Sequence, residues 1–95
     1  MNQIRKINEI RKHIDRLDIV LITTLAERMS LMPEIAKQKK ENNIPIFQEK
    51  REQQIMKKLL KIAQEHGLDK GFVEEVFLSI FNEAKRIQHK ITEKL

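Results

Sequence analysis

Ninety-five residues with a formal net charge of +5, 35% charged and 40% hydrophobic side chains, suit one small folded domain and exclude a disordered chain. The absence of cysteine removes disulfides, thiol catalysis and thiolate-ligated zinc. The longest uninterrupted apolar run, Ile19 to Ile22, is far too short to span a membrane, and the first six residues lack the apolar core of a signal peptide. The expectation is a cytoplasmic protein with no membrane association.

The spacing predicts an all-α chain of three helices. The first carries apolar residues at Ile7, Ile10, Ile14, Leu17, Leu21, Leu25, Leu31, Met32 and Ile35, at steps of three and four. It is expected over residues 5–41, about 55 Å at about 1.5 Å per residue. Pro33 lies inside it, removing one backbone hydrogen bond and crowding the carbonyl of Met29. A kink is expected there; the alternative is two helices meeting near residue 32. Asn42-Asn43-Ile44-Pro45 ends the segment, because Asn favours turns and the residue before Pro avoids helical angles.

The second helix is expected over residues 48–65, with Ile55, Met56, Leu59, Ile62 and Ala63 facing inward and Gly67 as its C-terminal cap. Asp69 is the expected N-cap of the third, with Leu68 and Val73 at the two positions of a hydrophobic staple. That helix carries Val73, Val76, Phe77, Ile80, Ala84, Ile87, Ile91 and Leu95 on its apolar side. A first helix this long outruns a 95-residue globule, so its stripe calls for a second chain.

The chemical inventory is narrow. Ser30 and Ser79 are the only serines, with no histidine and acid arranged around them, and no glycine-rich phosphate loop occurs. His13, His66 and His89 lack ligand spacing, so no metal is expected. Net positive charge invites a nucleic-acid reading, but fourteen acidic residues interleave with nineteen basic ones and no nucleic-acid motif accompanies them.

What remains is charge and hydrogen bonding. Arg28 and Lys39 are eleven residues apart, close to three helical turns, which on one helix would aim both the same way about 16 Å apart. Arg28 also stands where the stripe calls for a hydrophobe, so its guanidinium must be paired or await an anion. Gln88 lies at the edge of the third helix's stripe, as a satisfied polar neighbour or as a donor aimed into a cavity. Arg51 and Glu52 open the second helix, where the dipole favours the acid. Taken singly, each of these positions reads as an ordinary structural or surface residue.

Taken together they resemble a known family. Ile10-Arg-Lys-His-Ile-Asp-Arg-Leu-Asp18, Leu25-Ala-Glu-Arg28 and Ile35-Ala-Lys-Gln-Lys39 look like the first helix of the all-helical (AroQ-class) chorismate mutases. Pro45 followed by Arg51-Glu52 resembles that family's entry to helix two. His66-Gly-Leu-Asp69 and residues 77–88 resemble its second turn and third helix, so one register covers nearly the whole chain as a single domain, 1–95.

The resemblance implies an intertwined antiparallel homodimer that rearranges chorismate, a small dianion, to prephenate without a cofactor. It assigns Lys39 and Gln88 as donors to the substrate's ether oxygen. It assigns Arg28 to a carboxylate in its own subunit and Arg11 to a carboxylate in the opposite one. Arg51 becomes a further basic lining residue, and Glu52 the acceptor for the ring hydroxyl. Gln48 and Ala84 also line the site, standing where the family often has an acid and a hydroxyl residue. Lys85 replaces a commonly apolar residue, and Pro33 is unusual. Isochorismate-pyruvate lyase and 4-amino-4-deoxychorismate mutase are the related alternatives. Outside enzymes, the alternative is a helical dimerisation module whose Arg28 and Lys39 serve ion pairs.

Overall fold

The computed structural model describes residues 2–95 and contains α1 (Asn2–Ser30), α2 (Met32–Glu41), α3 (Glu49–Glu65) and α4 (Lys70–Lys94), with no strand among the described residues. The three expected helical segments are present, the first being divided at Leu31. There the chain follows the two-helix alternative rather than a continuous kinked helix. Pro33 has no N–H to offer the Met29 carbonyl, and it sits in the first turn of α2, where a missing donor costs least. The Leu31 N–H bonds instead to the Arg28 carbonyl at 3.3 Å, an i to i−3 contact. Arg28 and Lys39 therefore belong to different helices, and the three-turn register expected to link them is interrupted.

The chain forms two compact units, one up to Leu31 and the other Met32–Leu95. The first is the helix α1. Its stripe residues Ile7, Ile10, Ile14, Leu17 and Leu21 are all exposed in the single chain, and none of its residues from Gln3 onward is buried. Leu25, Arg28 and Met29 are half-buried.

In the second unit α2 and α3 both pack on α4. Its core is Met32 and Ala36 from α2, Ala63 from α3, and Val73, Phe81 and Ala84 from α4. Phe81 is the largest of these, worth roughly 1.5–3 kcal/mol when removed from water. Its ring lies 6.2 Å from that of Phe77, tilted at 56°. Ile55, Met56, Leu59, Phe77, Ile80, Ile87 and Ile91 are half-buried. Ile62, Val76 and Leu95 were expected inward and stand exposed, because each helix has only one face covered within this small unit.

Two left-handed turns set the helix ends. Asn43, at φ 55°, closes α2: its N–H bonds the Lys40 carbonyl at 3.3 Å and the Ile44 N–H bonds the Lys39 carbonyl at 2.8 Å. Gly67, at φ 70°, closes α3 in the same way, with the Leu68 N–H on the Ala63 carbonyl at 2.8 Å. Asp69 then caps α4, its carboxylate accepting from the Phe72 N–H at 2.9 Å.

Candidate active site

The second unit brings together residues from all three of its helices. Lys39 lies in the last turn of α2, where the Asn43 turn bends the chain back over its side chain. Its ammonium donates to the Ile46 carbonyl at 2.9 Å and to Oε1 of Gln88 at 2.8 Å. Gln88, on α4, is 4% exposed, the one buried polar residue among the described residues. With its oxygen engaged by Lys39, its amide nitrogen faces the Met32 thioether at 3.4 Å. A thioether is a weak acceptor, so this N–H₂ group is readily drawn to a better one.

Burial pushes the Lys39 ammonium below the usual lysine range. Nearby Glu52 opposes this by favouring the charge, and Lys85 adds to it by repulsion. Glu52, in the first turn of α3, pairs with Lys85 of α4 at 2.9 Å, both side chains being about one-fifth exposed. The same Lys85 ammonium lies 4.4 Å from the centre of the Phe47 ring. Lys39, Glu52, Lys85 and Gln88 are thus one electrostatic cluster.

The remaining expected site residues differ in placement. Ala84 is buried one turn before Gln88 on α4. Gln48 is the N-cap position of α3, extended at φ −122° and ψ 93°, exposed, and its side chain makes no capping bond. Arg51 is exposed beside Glu52. Arg11 and Arg28 both lie on α1, the first exposed and the second half-buried in its last turn.

Lys85 and Phe47 were absent from the expected site. Lys85 stood out in the sequence only as a polar residue where an apolar one is common, and its partner is thirty-three positions away. A cavity of about 230 Å³ lies against α3 and α4, with Phe47, Glu52, Met56, Leu78 and Phe81 among its lining residues. Glu52 is the member of the cluster that reaches it. Among the described residues no group of acids and histidines is arranged to hold a metal ion, and no helix is long and apolar enough to cross a membrane.

This cluster of cation, amide and paired acid contains no hydroxyl or thiol nucleophile. It can orient an anion and stabilise negative charge. Residues 10–89 match the family described as chorismate mutase type II.

The chain belongs to the chorismate mutase type II family.

Its relatives within and around that family differ in what they are named for. A chorismate mutase of Methanocaldococcus jannaschii is 33% identical over 96% of this chain and 92% of its own length. A bifunctional chorismate mutase/prephenate dehydratase of Buchnera aphidicola subsp. Baizongia pistaciae is 36% identical over 88% of this chain, which spans only 23% of that protein. A 4-amino-4-deoxychorismate mutase of Streptomyces venezuelae is 27% identical over 93% of this chain and 85% of its own length.

Proposed function

We propose that this chain, as one domain over residues 1–95, rearranges chorismate to prephenate. The observation that carries this reading is the part-buried Lys39–Gln88 pair, 2.8 Å apart, in a member of the chorismate mutase type II family. The reaction is intramolecular: one C–O bond breaks and one C–C bond forms within a single molecule. It requires no nucleophile, metal or cofactor. It requires a flexible dianion held in its folded, reactive conformer, and stabilisation of the charge that grows on the ether oxygen.

Lys39 has three N–H donors, of which two are held by Ile46 and Gln88. The third serves the ether oxygen. Gln88 adds its amide N–H, since an oxygen gaining negative charge competes well against a thioether. Donors fixed in place before the reaction spend nothing on reorientation during it. Arg28 binds a substrate carboxylate, Arg51 is a further basic residue lining the site, and Glu52 accepts from the ring hydroxyl. Gln48 and Ala84 shape the wall around it.

Arg11 serves the site of a second copy. It lies seventeen residues before Arg28 on α1, about 25 Å along the axis, too far for one small ligand to bridge. An antiparallel partner helix supplies the missing arginine and covers the exposed stripe. A cytoplasmic, cofactor-free, intertwined homodimer completes the reading.

The test is direct. The protein is incubated with chorismate, isochorismate and 4-amino-4-deoxychorismate while ultraviolet absorbance and products are followed. Chorismate should be consumed and prephenate formed. Pyruvate release from isochorismate alone would replace this reading with a lyase. Failure to alter any of the three would leave a helical dimerisation module.

A further inference from the structure

We propose that Lys85 sets the charge selectivity of this site, favouring a substrate whose ring substituent is a neutral hydroxyl over one carrying an ammonium there. The inference rests on the functional reading above and concerns which member of the substrate class the site accepts.

The argument starts from Glu52. A partly buried carboxylate is a natural seat for a ligand ammonium, because attraction there is screened less than in open water. In this chain the seat is already taken. The Lys85 ammonium stands 2.9 Å from the Glu52 carboxylate and is held from another side by the Phe47 ring at 4.4 Å. Both side chains of the ion pair are about one-fifth exposed, so water does little to weaken it. Lys39 lies in the same field: burial lowers its pKa most, Glu52 favours its charge and Lys85 opposes it.

A substrate hydroxyl can still donate to Glu52, since a carboxylate accepts several hydrogen bonds at once and Lys85 uses only part of that capacity. A substrate ammonium meets a different field. It must displace Lys85 or lie beside it, two ammoniums with one carboxylate between them. Either outcome penalises it relative to the hydroxyl, and selectivity built on repulsion is a recurrent device. Lys85 follows Ala84 and precedes Gln88 by three residues on α4, so it is fixed by the same helix that carries the amide donor.

The alternative role for Lys85 is a clasp between α3 and α4. A clasp would affect both substrates alike. The test is therefore the ratio of kcat/KM for chorismate to that for 4-amino-4-deoxychorismate. Wild-type protein should prefer chorismate. Lys85→Met keeps the aliphatic stem and frees Glu52, and should lower the ratio by about tenfold. Lys85→Gln should lower it in the same direction, and Lys85→Arg should keep it near wild type. Melting curves identify any variant that fails to fold. A wild-type preference for the amino compound overturns the inference without any variant. Folded, active Met and Gln variants with an unchanged ratio also overturn it and leave the functional reading standing. Turnover of neither compound by wild type overturns both.

Discussion

The helix α1 and the unit formed by α2, α3 and α4 are built from similarly amphipathic sequence, yet they differ in what they cover. The second unit buries seven side chains and satisfies its buried amide through a lysine forty-nine residues away. In α1 a regular stripe of Ile7, Ile10, Ile14, Leu17 and Leu21 lies exposed, each of these residues being 47% or more accessible. Periodicity of this kind has a cost in water and no function in an isolated helix. The contrast makes the uncovered stripe of α1 the natural test of the proposed dimer, and the Lys39–Gln88 pair the natural test of the proposed site.

Breaking the stripe should have the largest effect. The wild-type chain should sediment at twice 11.3 kDa. Leu17→Asp with Leu21→Asp places two charges on adjacent turns of the stripe. Sedimentation equilibrium should then show loss of the dimer. Activity should fall by at least about a hundredfold at micromolar concentration if the proposed dimer has no stable lone subunit. A double variant that stays dimeric and active would remove the stripe from the interface.

Lys39→Ala should lower kcat/KM by about 10²–10³-fold with the dimer intact, because it removes one preorganised donor. The same residue shapes the alkaline limb. Burial holds its folded-state proton less firmly than an ordinary lysine does, so kcat/KM of wild type should decline below the usual lysine range as pH rises. The stability sign is opposite. The unfolded chain binds this proton more tightly, so the contribution of Lys39 to stability improves as pH rises through that same window toward 10.5. A profile that stays flat past the ordinary lysine range would show that its charge is not required.

Mixing the regions from different copies gives a subtler result. Arg11→Ala and Arg28→Ala chains, each inactive, are unfolded and refolded together. A heterodimer then has one site with both arginines and one with neither. It should recover up to about half of the wild-type activity per dimer, as one site in two is complete. Heterodimers without activity would refute the shared site.

The smallest effect sharpens the second unit alone. Gly67 holds φ 70°, and a Cβ there would meet nothing within 4 Å. Gly67→Ala should therefore cost about 1 kcal/mol of backbone strain, seen as a fall in Tm of about 4–8 °C, with activity retained.

Helix ends and caps were the most legible features, because their causes are local. Asn43 and Gly67 tolerate left-handed angles, and Asp69 can accept from the amide three residues on. The division at Leu31 was harder to read. The apolar spacing runs straight through it, while the effect of Pro33 depends on how the freed carbonyl of Met29 is accommodated. Phe81 lies one turn beyond Phe77 and was still missed, because Ile80 and Ala84 already filled the expected face. The grouping of Lys39, Gln88 and Glu52 in one cluster was suggested in the sequence only by a family pattern. Their contacts join positions as far as forty-nine residues apart, which no local propensity encodes. The ion pair between Lys85 and Glu52 had no sequence signal beyond an ammonium at a position that is commonly apolar.

The segment between α2 and α3 looks like an ordinary surface connection, and such connections usually accept added residues without penalty. Here its length is a gauge. The carbonyl that receives one of the three donor directions of Lys39 lies seven positions further along the chain, and the left-handed bend at Asn43 falls within that span. One extra residue would leave the helices intact and move that carbonyl away, freeing the ammonium to rotate. An inserted residue in this loop should thus disturb the aim of a lysine rather than folding, although nearly every residue in the loop is open to solvent.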